Sequence, residues 1–210
     1  MMKAVIEKVA FELFLKYGPK RVTIDDIVAA TPISRKHFYE LYLNKEQLIK
    51  AMTGRFLLNA RLEIDEVAPK EGCPLVALVK VQHRFFQHIR KLSSSFIYEV
   101  RKYFPESVSD YDSFRHDLAD SMITFVKDCN EKGWIAEGVN IERYVKLQLY
   151  CLEEILFGRL DLINHGSQDE IAGMGRDIIF NNTRGIVNSE KMGVYDELIS
   201  RLKKEYGNIN

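Results

Sequence analysis

"TIDDIVAATPISRKHFYELYLNKEQL", residues 23–48, holds three helix starts in close succession. Thr23 stands three residues before Asp26, the spacing of a capping box, and Asp25 and Asp26 suit the positive end of a helix dipole. Pro32 pushes Thr31 out of helical geometry, so this first helix must end by Ala30. Ser34 caps a second short helix running to about Tyr42, and Asn44, with Gln47 three residues on, caps a third. Upstream, Ile6, Val9, Ala10, Leu13 and Tyr17 share one helical face that Gly18 and Pro19 close. The first fifty residues therefore read as helix, short helix, tight turn and short helix, with a long helix leading out to about Val67.

Two short helices across a tight turn make a DNA reader when both have a buried face and the second opens with polar or basic residues. Ile24, Ile27 and Val28 supply the first apolar face, and Ile33 and Phe38 the second. Arg35, Lys36 and His37 are left in the first turn of the second helix, where Arg and Lys suit guanine O6 and N7. Tyr39 and Lys45 are placed to reach phosphates. Residues 1–50 hold nine Lys/Arg against six Asp/Glu, an excess of three on a chain of zero formal charge. That sign fits a DNA-facing end on a neutral body.

These segments resemble the TetR family of bacterial transcriptional regulators over roughly residues 4–52, through Phe14, Gly18, Thr23, Ile27, Ser34, Tyr39, Lys45, Glu46 and Leu48 in order. The resemblance implies an all-α fold with an N-terminal three-helix helix-turn-helix domain (residues 1–50). A larger helical ligand-binding and dimerisation domain (51–210) would follow it. It also implies that Thr23, Tyr39 and Lys45 meet the DNA backbone while Ser34, Arg35, Lys36 and His37 face the groove. Two positions depart from the family pattern. Pro32 stands where glycine is frequent, so the turn must run through negative φ or be slightly reshaped. Lys36 also replaces a common glycine and adds a charge to the reading helix.

Beyond a linker at 68–74, helices are expected at about 75–92, 96–103, 110–131, 141–164 and 168–187, with a C-terminal amphipathic piece. By resemblance, 141–164 and 168–187 are the homodimer pair, with Ala172, Gly173 and Gly175 permitting close approach. Two copies are needed because one short helix reads too few bases, whereas a two-fold pair reads a pseudo-palindrome about one DNA turn apart. The expected function is a repressor released from its operator by a small-molecule inducer. Phe85, His88, Tyr98, Phe125, Tyr144, Gln148 and Cys151 are candidates to line the inducer's pocket. The alternatives are an activator or corepressor-dependent regulator of the same fold, and a helical carrier or enzyme with a vestigial DNA-binding module.

Several classes are disfavoured. The 46% apolar and 29% charged composition is that of an ordinary globular protein. No apolar run reaches the roughly 20 residues of a membrane span, and charges interrupt any signal-like segment, so a cytoplasmic protein is expected. Cys73, Cys129 and Cys151 have neither disulfide nor metal spacing. His83 and His88 are five apart and share no helical face, while His116 and Asp120 fit a surface pair better than a zinc site. No nucleophile–base arrangement is recognisable, and neither cofactor nor metal is expected.

Overall fold

The computed structural model describes residues 2–67, 73–107, 109–156 and 168–207. Its helices are α1 (Met2–Tyr17), α2 (Ile24–Ala29), α3 (Arg35–Leu41), α4 (Lys45–Val67), α5 (Pro74–Ile89), α6 (Ser94–Tyr103), α7 (Ser109–Glu131), α8 (Ile141–Leu156), α9 (Gln168–Arg184) and α10 (Met192–Gly207). Among the described residues two 3₁₀ turns, Pro105–Ser107 and Ser189–Lys191, punctuate them. The all-α expectation holds. Residues 68–72 of the expected linker, and 157–164 of the expected dimer helix, lie outside the described residues.

Two compact units divide the chain, one comprising Met1–Arg61 with Arg90–His116 and the other Leu62–Ile89 with Asp117–Asn210. The first is larger than residues 1–50 because α6 contributes to the same core. Phe96, Val100 and Phe104 are buried in one cluster with Ile6, Phe14, Ile27, Phe38 and Leu48. Phe11 of α1 packs edge-on against Phe96, ring centroids 5.9 Å apart. Fully burying side chains of this size stabilises by roughly 1.5–3 kcal/mol each, which makes α6 part of the module's foundation.

Local chemistry sets the ends of the short helices. Gly18 closes α1 at φ +83°, its N–H donating to the Phe14 carbonyl. Thr23 and Asp26 form the reciprocal capping box at the start of α2. At its far end the Thr31 hydroxyl donates to the Ile27 and Val28 carbonyls, beside the proline that has no N–H to offer. Among the described residues only glycines take positive φ, so the Pro32 turn runs through negative φ. Ser34 caps α3 by accepting the His37 N–H. Asn44 accepts the Gln47 N–H, and Gln47 accepts the Leu43 N–H in return.

In the second unit α5 is buried nearly all round, from Leu75 and Leu78 to Phe85, Phe86 and Ile89. It packs closely against α9. A Cβ on Gly175 would lie 2.1 Å from the Phe86 ring, so this glycine serves packing within the chain. Gly173, by contrast, has nothing within 4 Å of a would-be Cβ. The loop after α7 turns through Gly133 (φ +73°) and Gly138 (φ +80°). It carries an antiparallel bridge between Ile135 and Val187, with Ala136 N–H donating to the Ile186 carbonyl and Asn188 N–H to the Trp134 carbonyl.

Candidate nucleic-acid interface

The first turn of α3 divides cleanly. Phe38 is fully buried, while Ser34, Arg35, Lys36 and His37 are all exposed. Tyr39 is 43% exposed, its ring edge-on to Phe38, with the Arg35 guanidinium 5.9 Å from its centroid. Arg35 also reaches back to Asp25 in the first turn of α2 at 3.2 Å. Tyr39 and then Asp25 hold that guanidinium even more firmly protonated than usual. The Ser34 hydroxyl accepts from His37 N–H at 3.2 Å, so its geometry is that of a cap as well as an exposed donor.

At the start of α2 the Thr23 hydroxyl donates to Asp26 Oδ2 (2.7 Å) and accepts from Asp26 N–H (3.1 Å). The bonds from Thr23, side chain first, lower the Asp26 carboxyl below its ordinary pKa. Thr23, Arg35 and Tyr39 therefore lie along one connected run from α2 into α3. An exposed basic first turn, a buried anchor and a capped preceding helix are what a groove-reading helix needs.

The family model for bacterial regulatory proteins of the tetR family matches residues 6–52, the span that contains this run. Residues 6–52 are a TetR-family DNA-binding module. The chain is 20% identical to YvaF, an uncharacterised HTH-type transcriptional regulator of Bacillus subtilis strain 168, over 76% of this chain and 84% of that one. In fold it is similar to the ketosteroid regulator KstR2 of Mycobacterium tuberculosis. The TM-score is 0.67 at 13% identity, covering 90% of this chain and 96% of that one. A TetR-family regulator from Agrobacterium tumefaciens matches with TM-score 0.68 at 14% identity, covering 89% and 98%. The chain is thus a DNA-binding transcriptional regulator with a helix-turn-helix.

Within the TetR-family module Lys45 departs from the simple expectation of a free phosphate contact. Its Nζ donates to the carbonyls of Pro19 (2.8 Å), Val22 (2.9 Å) and Lys20 (3.3 Å), engaging all three ammonium protons. Burial lowers its pKa, against the opposing charges of Glu99 and Asp26. The lysine thus clamps the α1–α2 turn just ahead of Thr23. Glu99 of α6 holds the same turn by accepting Lys20 N–H at 2.7 Å.

A second constellation in this TetR-family module was not foreseen from sequence. Glu7, 6% exposed on α1, accepts the Tyr42 hydroxyl at 2.6 Å and pairs with Arg55 Nε of α4 at 2.8 Å. Burial and this bond push the Tyr42 phenol far above its ordinary range. The available signal was a carboxylate set among the α1 residues that pack inward, at helical spacing from Phe11 and Phe14.

The effector candidates fare unevenly. Tyr98 is a correction: it is 58% exposed on α6 in the first unit, its hydroxyl accepting from Lys102, because that face of α6 turns away from the core. The structure joins Tyr144 and Gln148 through Gln82, which donates to the Tyr144 hydroxyl at 3.4 Å and accepts from Gln148 Nε2 at 2.8 Å. Thr183 and Asn182 of α9 complete this buried set at 2.9 Å each. Burial raises the Tyr144 phenol to about 12. Phe85 is buried on α5, while Phe125 on α7 and Cys151 on α8 are half-buried. His88 faces Glu63 at 3.3 Å. Gln82, Asn182 and Thr183 escaped the sequence survey because a lone polar residue in an apolar stripe does not announce its partners.

Proposed function

We propose that the chain is a cytoplasmic homodimeric repressor that leaves a pseudo-palindromic operator when a small molecule binds its second unit. The observation that carries this is the exposed Ser34–His37 turn standing on the buried Phe38. Arg35, Lys36 and His37 meet base edges, while Thr23, Tyr39 and the backbone N–H groups at the start of α4 meet phosphates, with the Lys45 ammonium holding the α1–α2 turn behind them. Dimerisation uses α8 and α9. Leu147 and Tyr150, three residues apart on α8, are 56% and 55% exposed, and Gly173 leaves open space on α9. Apolar side chains of that size on one helix face suit a partner helix.

The effector is a small molecule that competes for, or joins, the buried amide and hydroxyl groups of Gln82, Tyr144, Gln148, Asn182 and Thr183. It shifts the population between two separations of the reading helices. The chain acts by binding, with no catalytic step. A mobility-shift titration with DNA flanking its own gene tests the DNA reading, with light scattering for the dimer. Wild type should shift the duplex in a salt-sensitive manner and Tyr39→Ala should lose most of that affinity. Equal binding by the two proteins, or none by wild type, would defeat the proposal.

A further inference from the structure

Around the turn between α1 and α2, the first unit carries lysines matched with tyrosines instead of carboxylates. Lys20 Nζ donates to the Tyr103 hydroxyl at 3.2 Å and lies 4.4 Å from that ring's centroid. Lys102 Nζ donates to the Tyr98 hydroxyl at 2.9 Å and sits 5.2 Å and 5.5 Å from the Tyr98 and Tyr103 rings. Lys16 stands 5.0 Å from the ring of Tyr17, which is 47% exposed. The acids alongside are Glu99, occupied with the Lys20 backbone N–H, and the exposed Glu106 on the following 3₁₀ turn.

Two ordinary explanations fall short. The dipole of α6 favours basic residues in its last turn, which accounts for Lys102 but not for the exposed tyrosines around it. An exposed cation–π contact is worth only about 0.5–1 kcal/mol, too little to explain three such phenols on one surface. A phenol that accepts from an ammonium still has its own O–H proton to give. Each lysine–tyrosine pair therefore offers an anion two convergent donors, and the lysine's influence lowers the Tyr103 phenol below its ordinary pKa. Lys20 is three residues ahead of Thr23, and Thr23 leads through Asp26 and Asp25 to Arg35 of the reading helix.

We infer that this lysine–tyrosine surface of the α1–α2 turn and α6 grips phosphates of duplex DNA flanking the base pairs read by α3. The inference rests on the DNA reading proposed above and adds a contact outside α2, α3 and the start of α4. Duplex DNA presents one negative charge per roughly 1.7 Å of axis, and each neutralised phosphate contributes about 0.9 to the slope of log affinity against log salt.

Duplexes selected from a random pool by the wild-type chain supply the probe. A long form keeps about one helical turn, roughly 10 base pairs, on each side of the selected core, and a trimmed form lacks it. Lys20→Gln with Lys102→Gln removes four cations from the dimer and should lower the salt slope by about 3.6 on the long duplex and leave it unchanged on the trimmed one. Tyr98→Phe with Tyr103→Phe should weaken binding to the long duplex alone. Lys132→Gln with Lys204→Gln removes the same charge from the second unit and should leave both slopes as in wild type.

An unaltered slope for the Lys20/Lys102 variant on the long duplex overturns the inference. So does an equal fall on the trimmed duplex, or an equal fall in the Lys132/Lys204 control. A wild type that selects no duplex defeats the DNA reading itself, a result separable from all of these. Matching thermal melts for each variant and wild type establish that the measured chains are folded.

Discussion

Tyr42→Phe removes one oxygen from a nearly sealed site. The Tyr42 hydroxyl donates to Glu7 Oε1 at 2.6 Å, with the two residues 3% and 6% exposed. A hydrogen bond to a charged group is worth about 1.5–3 kcal/mol. The carboxylate left behind still has Arg55, through Nε at 2.8 Å and Nη2 at 3.3 Å, so the loss stays short of the roughly 3–5 kcal/mol of an uncompensated buried charge. About 2 kcal/mol is therefore expected. Arg55→Met leaves the buried Glu7 carboxylate with no cation and only the Tyr42 hydroxyl, so it should cost more, roughly 3 kcal/mol. Urea unfolding followed by circular dichroism measures both. Because Tyr42 is the C-cap of α3, DNA affinity of the folded Tyr42→Phe chain should also fall several-fold. A stability loss below about 0.5 kcal/mol, within the range of an ordinary surface change, would refute the placing of this triad under the reading helix.

Three further outcomes follow from the same geometry. Lys45→Met strips three donors from the carbonyls of Pro19, Lys20 and Val22 and should cost roughly 2 kcal/mol. DNA affinity should fall with no change in salt slope, and a slope lower by about 1.8 for the dimer would instead assign the ammonium to a phosphate. Gly175→Ala drives a Cβ to 2.1 Å from the buried Phe86 ring. The overpacking, about 1–3 kcal/mol, should outweigh the roughly 1 kcal/mol helix gain of alanine, so a raised melting temperature would contradict the α5–α9 packing. Burial lifts the Cys129 thiol to about 12, leaving roughly one thiolate in ten thousand at pH 8. In a timed alkylation assay Cys129 should react more slowly than the half-buried Cys73, and faster labelling of Cys129 would contradict its burial.

What the sequence disclosed, and what it withheld, follows from the range of the interactions. Caps act over three residues, so Thr23 with Asp26, Ser34 with His37, and Asn44 with Gln47 were legible before any fold was known. The stop at Pro32 was legible for the same reason, since it depends only on a ring and a missing N–H. The partners of Lys45 lie 23–26 residues away, and Glu7 meets Tyr42 across 35. No periodicity encodes such pairings. Tyr98 was misplaced because an aromatic at helical spacing suggests a core, whereas α6 buries Phe96 and Val100 and leaves Tyr98 outside. The Gln82–Gln148 pairing joins α5 to α8 across 66 residues and was likewise beyond reach.

The reading helix is itself too short to stand alone. Its seven residues include one buried side chain, Phe38, and isolated helices under about 12–15 residues are marginal in water. Its pose must then come from its ends. Ser34 and the Arg35–Asp25 pair hold the first turn, and Tyr42 on Glu7 holds the last. That division assigns different work to neighbouring cations. Arg35 is already tied to Asp25 and Tyr39, so turning it toward a base would sacrifice a tether of the helix. Lys36 and His37 point outward with side chains that carry no such duty, and base discrimination would fall to them first. Substitutions there could change which operator is read while leaving the pose of α3 intact, whereas changes at Glu7, Asp25 or Tyr42 would weaken binding to every operator alike.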